Sequence, residues 1–110
     1  MSAIASGTAA PTADVGEPAR VEVLVPGLLR SYTGGAPRVA LDLQGGSLTV
    51  GGVLAALDAR FRGFAFRIVD EQGAIRPHIK IFVDATLARS LDHALRDGAE
   101  MMIVGALSGG

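Results

Sequence analysis

Apolar residues fall at every second position in several short runs and at helical spacing in one longer run. Between Arg20 and Pro26, Val21, Val23 and Val25 share one side, and Glu22 and Leu24 share the other. This period of two predicts a β-strand with its valines turned inward. Arg38–Leu43 repeats the pattern, with Val39, Leu41 and Leu43 set against Arg38 and Asp42. Pro26-Gly27, a short bridge at residues 28–32 and the turn cluster Thr33-Gly34-Gly35-Ala36-Pro37 lie between, so the two runs are expected to form a hairpin.

After Gln44-Gly45-Gly46-Ser47 the spacing changes. Val50, Val53, Leu54, Leu57 and Phe61 form one helical stripe. Thr49 is the expected N-cap, with Leu48 placed to staple onto Val53. Gly51 and Gly52 weaken the first turn, and Gly63 ends the helix. A short helical turn is expected within Phe64–Asp70, and a turn at Glu71-Gln72-Gly73. His78–Asp84 alternates Ile79, Ile81 and Val83 with Lys80 and Phe82, as a third strand should. Residues 85–98 are expected to hold turns and a short helix around Leu91–Leu95. Asp97-Gly98 then turns the chain into a last strand, Glu100–Val104, with Met101 and Ile103 inward and Met102 and Val104 outward.

The order β-β-α-β-β predicts an α+β fold, a mixed sheet of four to five strands with one main helix packed on one face. The domain is expected to span 20–104. Residues 1–19, rich in Ala, Ser, Thr, Gly and Pro, read as a flexible leader, and 105–110 as an exposed tail. Leu24, Phe82, Met102 and Val104 should share the outer sheet face beside that tail, which makes them a candidate partner-docking patch.

Composition narrows the chemistry. The 110 residues include no cysteine, which excludes disulfides, thiolate metal sites and a cysteine nucleophile. The formal net charge is −1 with no basic block, an argument against nucleic acid as a partner. No stretch of about twenty residues stays apolar, and residues 1–19 lack the features of a secretory signal. The expectation is a cytoplasmic protein without a membrane role. His78 and His93 lack metal-ligand spacing, so no metal site is expected. Asp70 and Glu71 read as turn residues, and Ser108 has no paired base.

The chain ends Ala106-Leu107-Ser108-Gly109-Gly110. Glycines lack a Cβ and adopt backbone angles that other residues resist, so such an end can thread a narrow channel. From Gly105 to Gly110 the extended reach is about 20 Å. The alternative is an ordinary frayed terminus.

The arrangement from about Val21 to Gly110 resembles the ubiquitin-like β-grasp sulfur carriers. Four stretches carry the likeness: Val25-Pro26-Gly27-Leu28-Leu29-Arg30 with Thr33-Gly34-Gly35; Leu48-Thr49-Val50-Gly51-Gly52-Val53-Leu54; His78 to Asp84; and Asp97-Gly98-Ala99-Glu100 running through Met101–Val104 into the Gly-Gly tail. The first of these is most similar to carriers of a cysteine-forming route. One departure is Gly105, where many relatives have proline, which leaves the direction of the tail less fixed.

The resemblance implies a co-substrate rather than an enzyme. An activating partner of the adenylating, sulfur-transferring type would use ATP and magnesium to convert the Gly110 carboxylate to an acyl-adenylate. A sulfur source would then displace AMP and leave a thiocarboxylate. Ala106, Leu107, Ser108 and Gly109 would thread the partner's active site. Further implied partners are a sulfur-accepting synthase and a metalloprotease that exposes the tail or releases product. No cofactor is expected on the chain itself, and Gly34-Gly35 and Gly45-Gly46 lack the ending of a phosphate-binding loop. Two other classes stay open: a protein modifier joined through Gly110 to a target lysine, and a β-grasp interaction domain whose Gly-Gly is incidental.

Overall fold

A computed structural model describes residues 18–44 and 48–105. Strand β1 (Pro18–Leu24) is followed by a 3-10 helix (Gly27–Thr33) and β2 (Arg38–Gln44). Helices α1 (Val50–Arg60) and α2 (Phe64–Ile68) come next. Strands β3 (Ile79–Val83), β4 (Thr86–Ala88) and β5 (Glu100–Gly105) complete the domain. The sheet order is β2-β1-β5-β3-β4. β1 and β5 run parallel, and the other pairs are antiparallel. This is the α+β, β-grasp arrangement expected of the sequence, with five strands.

The alternation sets the layers. Val21, Val23, Val39, Leu41, Ile79, Ile81, Met101 and Ile103 are buried on the inner sheet face. Val50, Val53, Leu54 and Leu57 of α1 close over them. Each such side chain contributes on the order of 1.5–3 kcal/mol when fully buried. Phe61 ends the stripe at the helix C-cap and is only half-buried. Phe64 of α2 is fully buried and meets the edge of Tyr32, with ring centroids 6.1 Å apart.

The hairpin of β1 and β2 pairs Val21 with Leu41 and Val23 with Val39. β1 begins at Pro18, two residues ahead of the expected boundary, and Ala19 is buried. The link after β1 is a 3-10 helix rather than a plain bridge. It closes at Gly34, whose φ of 67° suits a residue without a Cβ.

Two expectations fail between Ala85 and Gly98. A fifth strand, β4, follows β3 through a tight turn at Asp84-Ala85, both with positive φ (47° and 72°). Such turns favour Gly and Asn, so the local sequence concealed it. The short helix expected around Leu91–Leu95 is absent. That segment instead lies along the start of α1: Val50 N–H donates to the His93 carbonyl (2.9 Å), Gly51 N–H to the Leu91 carbonyl (2.9 Å), and Leu95 N–H to the Leu48 carbonyl (2.9 Å). Gly52 N–H donates to Thr49 Oγ1 at 3.0 Å, the expected cap. The first-turn donors of α1, which have no partner inside the helix, are thus met from outside it. Gly51 serves this contact, since a Cβ there would lie 3.3 Å from Leu91 Cβ and 3.4 Å from its carbonyl oxygen.

Candidate docking face and tail exit

Because β1 and β5 are parallel, their C-terminal ends reach the same edge of the domain. β5 ends at Gly105 beside Pro26 and Leu28 of the 3-10 helix. On the outer face the strand register lines side chains into one row: Leu24 pairs with Met102, Met102 with Phe82, and Phe82 with Leu87. Val104 stands one step nearer the exit. Met102 and Val104 are 37% and 38% exposed, while Leu24 and Phe82 are half-buried. The four residues expected to form a patch therefore share one face. Leu87 of the unexpected strand extends the row.

Beside this row lies a cavity of about 340 Å³, lined among others by Leu24, Pro26, Arg30, Met102 and Val104. Arg30 donates from Nε to the Val25 carbonyl at 3.0 Å, which fixes its guanidinium at the rim. At the β2 end of the row the face turns polar: Arg38, which pairs with Leu24, meets Glu22 at 2.7 Å and more distantly Glu100 at 3.7 Å. These side chains are exposed, so the pairs add little stability, but they bound the apolar row.

The other side of the exit was not legible in the sequence. Leu28 and Phe66 are 44% and 56% exposed. Both line a second cavity of about 410 Å³, with Arg67, Arg76 and His78 around it. Arg76 donates from Nε to the Phe66 carbonyl at 2.9 Å and lays its guanidinium 4.8 Å from the Phe66 ring centre. A Cβ at Gly105 would sit 3.2 Å from Leu28 Cδ2 and 3.7 Å from Ile79 Cδ1. Gly105 thus passes between the two apolar surfaces. Of the four large hydrophobic side chains that stand out as exposed among the described residues, Leu28, Met102 and Val104 stand beside this exit, and Phe66 shares the second cavity with Leu28. Only the outward alternation of Met102 and Val104 signalled any of them. Leu28 and Phe66 belong to helical turns too short for a readable stripe.

Gly110, Gly109, Ser108, Leu107 and Ala106, the expected reactive end and threading residues, lie outside the described residues. His78 is exposed and His93 half-buried in an extended segment, not in a helix. Among the described residues no three metal-ligating side chains cluster. No helix there is long and apolar enough to cross a membrane. Asp70 has its carboxyl pKa lowered by accepting hydrogen bonds from the Ala74 and Gln72 backbone N–H groups, with a smaller contribution from Arg76. It organises the turn at residues 70–74.

The ThiS family model matches residues 23–110, from within β1 to the last glycine. The chain belongs to the ThiS family. This agrees with the ubiquitin-like sulfur carriers that its sequence resembles. Among solved structures, this ThiS-family chain is similar to Mycobacterium tuberculosis CysO, at 28% identity and a TM-score of 0.70 over 79% of this chain and 99% of the other. A chain of the Amycolatopsis orientalis BexX/CysO complex shares 27% identity at a TM-score of 0.72, covering 82% and 99%. SAMP1 from Haloferax volcanii shares 27% identity at a TM-score of 0.68, covering 83% and 99%. No curated protein matches the chain in sequence.

Proposed function

We propose that this protein is a cytoplasmic sulfur carrier whose Gly110 carboxylate is adenylated by a partner enzyme and converted to a thiocarboxylate. The observation that carries the reading is that exposed Leu28, Met102 and Val104 stand beside Gly105, where a partner must grip the domain to receive its tail. The family match running through Gly110 supports it. A carboxylate is a poor acyl donor. Adenylation replaces its oxygen with a good leaving group, AMP, which a sulfur nucleophile displaces. ATP and magnesium would be held by the partner, not by this chain.

The partners would be an adenylating enzyme, a synthase that accepts the sulfur, and a metalloprotease acting at the tail or on the product. The Amycolatopsis likeness to a BexX/CysO complex supports partnership with another protein. The first-strand exit, Val25 to Arg30 with Thr33-Gly34-Gly35, resembles carriers of a cysteine-forming route and favours that route over thiazole, molybdopterin or secondary-metabolite routes. Incubation with ATP, sulfide and extract of the native host tests the reading. The intact chain should become heavier by the difference between one sulfur and one oxygen, and a chain lacking Gly110 should not.

A second reading has its own support. SAMP1 from Haloferax volcanii and from Methanosarcina acetivorans, 27% and 26% identical, are small archaeal modifier proteins. The same activated carboxyl could then acylate a lysine, giving a branched conjugate instead of a mass shift on the free chain.

A further inference from the structure

Ten residues of this chain are Lys or Arg, and Lys80 is the one lysine among them. It lies in β3, directly across from Val104 of β5, one residue before the strand ends at Gly105. Its position is exposed. The ion pairs among the described residues all use Arg20, Arg38 or Arg96, and none engages Lys80. The only side-chain amine of the protein therefore stands on the outer sheet face, beside the point where the tail begins.

We propose that Lys80 is a modification site, the amine that takes the acyl group of Gly110 from a second copy of this chain. This rests on the reading that Gly110 is activated. The partner joins the Gly110 carboxylate to the AMP portion of ATP and releases pyrophosphate. The Lys80 nitrogen, as the neutral amine, attacks the Gly110 carbonyl carbon. A C–N bond forms, the C–O bond to AMP breaks, AMP leaves with the electron pair, and the nitrogen releases one proton to solvent. Arginine does not serve as such a nucleophile because it stays protonated, so the other nine cationic side chains are closed to this reaction.

The position has a consequence. Lys80 shares the outer face with Phe82, Met102 and Val104. Joining a second 11.2 kDa chain there covers the row that the activating partner needs. The copy that accepts is silenced for its own activation, and the copy that donates has its carboxyl sealed. Self-conjugation would hold the carrier in reserve when activated tails outrun the sulfur supply.

The test uses the full chain with an N-terminal tag as donor, an acceptor chain lacking Gly109 and Gly110, host extract and ATP, without sulfide. The expected product is a tagged conjugate of donor and acceptor. Its digest should contain a branched peptide that joins Gly110 to Lys80. An acceptor that also carries Lys80→Arg should lower the conjugate at least tenfold, with its circular dichroism unchanged. The donor stays wild-type, so activation is the same in both arms. Amine basicity alone favours the α-amine, whose ordinary pKa is about 8 against about 10.4 for lysine, so a Lys80 link reports placement rather than reactivity. Equal conjugation of the Lys80→Arg acceptor would overturn the proposal. So would donor tails found only on other proteins, or a donor monomer lighter by one water. A parallel arm with sulfide separates the two readings. Thiocarboxylate without a Lys80 link removes this inference alone, whereas neither product removes the activation reading with it.

Discussion

Leu24 of β1 and Met102 of β5 stand side by side in the parallel pair, at the centre of the apolar row on the outer sheet face. Met102 also faces Phe82 across the antiparallel pair, so one side chain joins three strands. A charge placed there is solvated in the free domain and desolvated against a partner. Met102→Asp should therefore leave the fold intact and weaken docking tenfold or more, the scale of a central interface residue at about 1–2 kcal/mol. Calorimetry with the purified activating partner checks this, and Phe82→Asp should behave alike. Unchanged affinity in both would remove the row from the interface.

Removing Gly110 separates the tail from the domain. The core is built from the five strands, the helices and the segments between them, and among the described residues it draws on none after Ile103. Deletion should abolish sulfur acceptance with no change in the thermal melt. A truncated chain that still gains sulfur, or that melts early, would contradict the assignment of chemistry to the last residue.

At Gly51 two effects compete. Alanine improves intrinsic helix propensity by up to about 1 kcal/mol. Its Cβ, however, would press on Leu91 Cβ at 3.3 Å and on the Leu91 carbonyl that accepts the Gly51 N–H. That backbone is held by its own bonds to α1 and cannot yield as a free side chain would. Gly51→Ala should lose stability rather than gain it, measured by urea denaturation. A gain approaching the full propensity value would show the contact to be soft.

Ala85 holds a φ of 72° in the turn between β3 and β4. An L-residue there costs about 1–2 kcal/mol, and glycine removes the clash while adding about 0.5–1 kcal/mol of unfolded-state entropy. Ala85→Gly should raise the denaturation midpoint modestly, by an amount equivalent to about 0.5–1 kcal/mol. A lowered midpoint would refute the strain argument.

The Asp70 turn carries a pH dependence. Its folded pKa lies below the ordinary carboxylate value, because the charged form accepts the Ala74 and Gln72 N–H groups. Its contribution is therefore complete above the unfolded value and is lost as the pH falls through the lowered folded one. Amide shifts of Gln72 and Ala74 should move in that acidic window and stay flat at neutral pH. Asp70→Asn should abolish the acidic transition at those two amides.

The strands β1, β2, β3 and β5 were legible because each buries one face, which writes a period of two into residues such as Val21, Val23 and Val25. α1 was legible for the corresponding reason at 3.6, with Thr49 marking its start. β4 was not, because three residues are too few for a period and its turn lacks glycine.

The sequence by itself determined which side chains turn inward, where α1 starts, and that Met102 and Val104 face out, since these follow from local spacing. Only the tertiary structure decided that the segment from Leu91 to Leu95 serves α1 rather than forming a helix. Its backbone groups find partners across the fold, and no local pattern records a bond between residues forty apart. The gathering of Leu28, Met102 and Val104 beside Gly105, with Phe66 across the cavity that Leu28 lines, was likewise decided in three dimensions. The parallel pairing of β1 with β5 brings distant stretches to one edge, and distance along the chain carries no trace of it.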